Sequence, residues 1–167
     1  MDAMVADIFG YHALQLGMPE LEGLRANRMP HQWLAVSEDV TSDPLHAQKS
    51  FSFAAHSIAL PFSADSLDLL VMPHSLELSL DAHASLREAE RVLMPEGHLI
   101  MTGLNPASLW GWRHKRSQWY QRWGFEGLNA PPCEELIGYW RLRDWLRLLG
   151  FEVKVSRFGC WRPALEK

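Results

Sequence analysis

His74 is the side chain among these 167 residues whose type and place most directly suggest chemistry. It follows the apolar run Leu67-Asp68-Leu69-Leu70-Val71-Met72 and a bend at Pro73, and a neutral imidazole there could take a proton near pH 7. The competing reading is an imidazole that only hydrogen-bonds a loop carbonyl. Gly17 closes the run Tyr11-His12-Ala13-Leu14-Gln15-Leu16, and a turn residue without Cβ lets a ligand approach the backbone. Glu38 lies 38 − 17 = 21 positions further on, just past Trp33-Leu34-Ala35-Val36. An acid at that spacing holds sugar hydroxyls in nucleotide-binding βαβ units, and a solvated strand end is the bland alternative. His56 and Ser57 follow a third apolar run, Phe51-Ser52-Phe53-Ala54-Ala55. Cys133 and Cys160 stand far apart with no metal-type spacing, so no metal constellation is expected.

The elements that would carry these residues are legible from hydrophobic period. Leu67 to Met72 is almost continuously apolar, as a parallel strand buried on both faces should be. Ala82, Leu86, Ala89 and Leu93 then recur at helical spacing, with Asp81 placed to cap the start. Pro95-Glu96-Gly97 stops that helix and His98 to Gly103 forms the next strand. Strand, helix, strand at this length is a βαβ unit with a right-handed connection. Upstream, Tyr11–Gly17 reads as a first strand, Trp33–Val36 as a second and Phe51 onward as a third. Pro19 sits at a first helical position, with Leu21 and Leu24 as a short apolar stripe. Downstream, Leu142, Trp145, Leu146 and Leu149 make a helical face closed by Gly150. Phe151 to Ser156 alternates with period two and reads as a sixth strand.

The stretch "ALPFSADSLDLLVMPHSLEL" followed by "LREAERVLMPEGHLIMTGLNP" resembles the middle of a class I S-adenosylmethionine-dependent methyltransferase. It is most similar to the type 11 branch, which also holds ubiquinone and menaquinone C-methyltransferases. The matching features are Leu60-Pro61-Phe62, Ser66-Leu67-Asp68, Leu76-Glu77 and Arg91-Val92-Leu93-x-Pro95-x-Gly97. The resemblance implies an α/β fold: a Rossmann-like, doubly wound, mostly parallel sheet in the order 3-2-1-4-5, with strand six beyond. A seventh strand is expected to be missing, because only Arg157 to Lys167 remains for it. Ligands of such a sheet bind at the carboxyl ends of the strands, at the switch point.

What the resemblance implies chemically is methyl transfer from S-adenosyl-L-methionine to a small-molecule acceptor. Cofactor contacts would fall on Gly17, Glu38, His56, Ser57 and Pro73, and His74 would be the catalytic base. His56 stands where such proteins often carry an Asp for the adenine amino group. The turn after Gly17 departs from the family pattern, because Met18-Pro19-Glu20 occupies the place of further glycines. That departure, with His56 and the short chain end, keeps open a second reading. In it a methyltransferase-like domain with weak or lost cofactor binding serves as a binding or regulatory module.

Composition narrows the class. One domain over 1–167 is the natural expectation at this length. The formal net charge of −4 argues against a general nucleic-acid binder. No apolar run approaches the length of a membrane span, and the start lacks a basic secretory leader, so the expected location is cytoplasmic. Tryptophan is the outlier, since seven of eight lie after residue 109. Between Trp110 and Trp123 they alternate with Arg113, His114, Lys115, Arg116 and Arg122. Three readings compete for this part of a lid-like segment at about 106–140: a lid over the crevice, peripheral membrane contact, or a nucleic-acid grip. An unpaired sixth strand at the sheet edge would further favour a homodimer.

Overall fold

The computed structural model describes residues 2–36, 51–104 and 137–159. The chain divides into two compact units, 1–103 and 104–167. The first holds a short helix α1 (Asp2–Val5), strands β1 (His12–Leu16), β2 (His31–Val36), β3 (Phe53–Ala54) and β4 (Leu67–Pro73), helix α2 (Ala82–Val92) and strand β5 (Leu93–Thr102). The strands form one sheet in the order β3-β2-β1-β4-β5, and every pairing is parallel. The expected order is therefore found, and the reversal of direction falls between β1 and β4.

β4 is the centre because its sequence allows nothing else. Leu67, Leu69, Leu70 and Val71 are completely buried, and side chains pointing to both faces must all be apolar in a strand covered on both sides. On one face Leu69 and Val71 join Val5, Ala13, Leu24, Met29 and Ile100 in a core cluster. The odd member, Asp68, is put to use: its Oδ2 accepts the N–H groups of Tyr11 and His12 at 2.9 Å each. That anchors the start of β1 to β4.

α2 begins and ends where its residues dictate. Asp81 caps it by accepting the Ala84 N–H at 2.9 Å, and Leu86, Ala89 and Val92 are buried along its inner stripe. After it, the pairing jumps from Leu67↔Leu93 to Leu69↔His98, so Met94 to Gly97 bulge out of the ladder. A Cβ on Gly97 would lie 2.8 Å from the Met94 carbonyl oxygen; only glycine fits there.

The motif residues around Arg91 form a clamp. The Arg91 guanidinium donates to the carbonyls of Leu60 and Phe62 at 3.2 and 2.9 Å and to Glu88 at 2.7 Å. Glu88 in turn accepts the Leu60 N–H at 2.7 Å. The Leu60-Pro61-Phe62 segment is thus tied to α2 through three backbone groups, the Leu60 N–H and the Leu60 and Phe62 carbonyls.

Three expectations need correction. Residues 17–30 hold a series of turns and no helix, because the segment is organised by Gln15 rather than by an apolar stripe, as shown below. β3 is two residues long, shorter than the run Phe51–Ala55 suggests. Residues 151–159 carry no strand, although the alternation is there; only Phe151 and Val153 are even partly buried, and alternation without a buried face does not hold a strand. The edge-strand argument for a homodimer loses its basis with it. The seventh strand, for which residues beyond 159 were needed, lies outside the described residues.

The second unit contributes one described helix, α3 (Tyr139–Leu148). Its end is closed as the Gly150 position predicts, by Gly150 N–H to the Arg147 carbonyl and Phe151 N–H to the Leu146 carbonyl at 3.1 and 2.9 Å.

Candidate active site

β1, β4 and β5 end side by side, and the turns that leave them carry the polar groups. His74, with φ 53°, begins the turn after β4, and its N–H donates to the Thr102 carbonyl at 3.0 Å. That bond ties the turn to the end of β5. Three residues on, the Glu77 carboxylate lies 3.0 Å from His74 Nδ1 through Oε2. Glu77 is only 4% exposed, a rare position for a carboxylate unless it is paired. Its Oε1 would stand 3.0 Å from a Cβ at Gly103, so the glycine leaves room for it. The hydrogen bond to Glu77 holds the imidazole pKa above its ordinary value of 6.5; burial opposes this, and the charge of the same carboxylate adds to it. A basic imidazole oriented by a buried carboxylate is a proton acceptor held in one tautomer.

Ser75 links this turn to β1. Its hydroxyl donates to the Leu16 carbonyl at 2.6 Å and would lie 3.3 Å from a Cβ on Gly17. Gly17 has φ +80° and Met18 follows with φ 42°, so the Gly-turn shape continues through a residue that must bear a side chain in the left-handed region. The loop beyond is held by Gln15, 3% exposed. Its amide nitrogen donates to the carbonyls of Met18 and Leu21 at 3.0 and 2.5 Å, and its carbonyl accepts the Gly23 N–H at 2.8 Å. One side chain thus does what a helix would otherwise do for these backbone groups.

Of the residues singled out in the sequence, Gly17, Pro73 and His74 come together through Ser75. Pro73 is buried within the end of β4, which leaves it packing rather than an open surface. Ser57 reaches the same turn from β3: its hydroxyl is within 3.2 Å of Ser79 and 2.8 Å of Ser85. His56 is exposed beside it and forms an isolated bridge with Ala59. Glu38 and the segment Trp110–Trp123 lie outside the described residues. Gln15, Ser75 and Glu77 were missed as site residues; the only signal for them was a polar residue embedded in an apolar run.

Two observations at the strand ends bear on a polar ligand. Gly17 keeps the end of β1 free of a side chain, and the Thr102 hydroxyl, buried at the end of β5, has no hydrogen-bond partner among the described residues. An orphaned buried hydroxyl costs free energy unless something external satisfies it.

Residues 31–101, from β2 to the end of β5, match the methyltransferase domain family. Over 157 residues the chain is 32% identical to the uncharacterized protein YafS of Escherichia coli K12, covering 90% of this chain and 57% of that protein. The chain thus spans little more than half of that relative. Among solved structures, a SAM-dependent methyltransferase of Thermotoga maritima superposes with a TM-score of 0.67 at 15% identity, covering 91% of this chain and 70% of that one. The YcgJ protein of Bacillus subtilis follows at 0.61 and 17%, covering 88% and 65%. The [4+2]-cyclase SpnF shares the fold at 0.59 and 19%, covering 92% and 57%. The fold is that of the class I SAM-dependent methyltransferases, and the last example shows that it also carries other chemistry.

Proposed function

We propose that this methyltransferase domain moves a methyl group from S-adenosylmethionine to a small molecule whose attacking atom must first lose a proton. The observation that carries the reading is the His74–Glu77 pair, set at the strand ends of a domain whose family match runs from β2 into β5. S-adenosylmethionine, when bound, supplies a methyl group on a sulfonium that is already a good leaving group. The protein's part is to position, to exclude water and to handle the proton. Gly17 would let the methionine end approach the β1 turn. Glu38, His56 and Ser57 would serve the ribose and adenine, and Pro73 would wall the crevice. The Thr102 hydroxyl would bond a polar group of either ligand.

His74 would accept the acceptor's proton, with Glu77 fixing the ring and favouring the imidazolium that results. An acceptor of this kind is a phenol, a thiol, a protonated amine or a carbon acid. A thioether carries no proton to lose and would leave the pair without a task. The comparisons lend no support to a purely regulatory role.

The test is transfer of isotope-labelled methyl to a panel of these acceptor classes. Turnover is expected with one of the proton-losing classes, and His74→Ala should lower it by about 10²–10⁴-fold. Transfer confined to thioethers, or an unchanged rate in His74→Ala, would remove the base from the account.

A further inference from the structure

The two units carry opposite charge. Residues 1–103 hold 5 Lys and Arg against 14 Asp and Glu, a formal −9, whereas residues 104–167 hold 11 against 6, a formal +5. Seven of the eight tryptophans belong to the basic unit. Charge asymmetry of this size points to an anionic partner for one part of the chain.

α3 shows what such a surface looks like. Only Leu146 of the helix is buried. Trp140 and Leu148 are 71% and 81% exposed, and Arg141, Asp144 and Arg147 are exposed on the same helix, where three arginines outnumber one carboxylate. Arg141 lies over the Trp145 ring at 5.1 Å and Arg143 over the Trp140 ring at 5.9 Å. Neither Arg143 nor Arg147 has a carboxylate partner among the described residues. At the start of the helix, Tyr139 stacks edge-on against Phe158 at 5.2 Å; Phe158 is 55% exposed and Val155 56%.

We infer that α3 docks this chain on an anionic membrane surface, with Arg141, Arg143 and Arg147 on lipid headgroups and Trp140 and Leu148 among the acyl boundary. The apolar side chains decide between anionic partners. Nucleic acid rewards cations and stackable rings, but gives no return for Leu148 or Val155 held in water. A bilayer interface uses all of them: indoles sit at headgroup level, aliphatic side chains sit just below, and each arginine gains from the negative surface potential. No described helix is long and apolar enough to cross a membrane, so the contact is peripheral. The basic aromatic segment Trp110–Trp123 belongs to the same unit and carries the same composition.

Sedimentation of the full chain with phosphatidylcholine vesicles containing about 30 mol % phosphatidylglycerol tests this directly. Binding is expected to these vesicles, to be lost on pure phosphatidylcholine, and to weaken steeply toward about 0.5 M salt. Arg143→Ala with Arg147→Ala should lower the partition coefficient about fivefold per arginine. Trp140→Ala with Leu148→Ser should lower it about tenfold while leaving the salt dependence intact. Trp140, Arg147 and Leu148 are exposed and Arg143 is half-buried, so an unchanged circular dichroism spectrum is expected for each pair. Equal binding to neutral vesicles, no binding to either kind, indifference to both variant pairs, or tighter capture of a single-stranded oligonucleotide than of the vesicles would each overturn the assignment.

Discussion

His74 Nδ1 and Glu77 Oε2 lie 3.0 Å apart across a turn that is not helical, with the carboxylate almost wholly enclosed. The pair is made by the backbone: His74 adopts a positive φ of 53°, and Gly103 leaves the space into which the carboxylate turns. Strained backbone at a polar pair is a frequent companion of function.

The pH dependence follows from the direction of the shift. His74 has its folded pKa raised above the ordinary 6.5. The stability that the pair contributes is therefore fully present below the unfolded pKa and lost as pH rises through the folded value. Glu77→Gln should lower the His74 pKa, read by imidazole NMR titration, and should flatten the fall in melting temperature as pH rises above the ordinary 6.5. A His74 titration unmoved by Glu77→Gln would show that the carboxylate does not govern the ring.

The Arg91 clamp gives a prediction on stability. Arg91→Ala removes a donor from the Leu60 and Phe62 carbonyls and from Glu88, of which Leu60 keeps the Phe62 N–H and Glu88 the Leu60 N–H, and the loss should be about 1–3 kcal/mol in urea unfolding. Glu88 has its pKa lowered, first by the hydrogen bond from Arg91. Its contribution is present above the ordinary value of 4.5 and lost as pH falls through the folded one. Wild type should thus lose in acid the part of its advantage over Arg91→Ala that the Glu88 pair supplies; an advantage independent of pH would assign the clamp's energy to the carbonyl hydrogen bonds and packing instead.

Much of this was legible in the sequence, for physical reasons that can be named. The continuous apolar run at Leu67–Met72 could only be a strand covered on both sides, and Asp81 before the stripe of α2 could only be a cap. The motif Arg91-Val92-Leu93-x-Pro95-x-Gly97 marked the clamp and the bulge, although neither could be seen without coordinates. The pairing of His74 with Glu77 was not legible, because three residues apart means contact in a helix and says nothing in a turn. The helix expected from Pro19 failed for a different reason. Local pattern cannot anticipate a single buried amide that satisfies a loop's backbone from within the neighbouring strand.

That amide is testable. Gln15→Leu keeps the volume but removes the side-chain bonds to the Gly23 N–H and the Met18 and Leu21 carbonyls, leaving only the turn's own bonds from Leu21 N–H to Met18 and from Gly23 N–H to Leu21, at about 0.5–1.5 kcal/mol for each bond lost. Hydrogen exchange at Gly23 should rise far more than exchange in β4. Uniform loss of protection across the sheet would instead mean that Gln15 supports the fold as a whole, not the loop.

The central claim, that this domain takes S-adenosylmethionine at the β1 and β4 strand ends, is tested most directly by calorimetric titration with S-adenosylhomocysteine. The account predicts saturable one-to-one binding, weakened to the micromolar range or beyond by Met18 and Pro19 standing where glycines would open the approach. Binding should weaken further when a Cβ is added in Gly17→Ala, where φ is +80°. A titration with no saturable heat in the wild-type protein would contradict the account at its root.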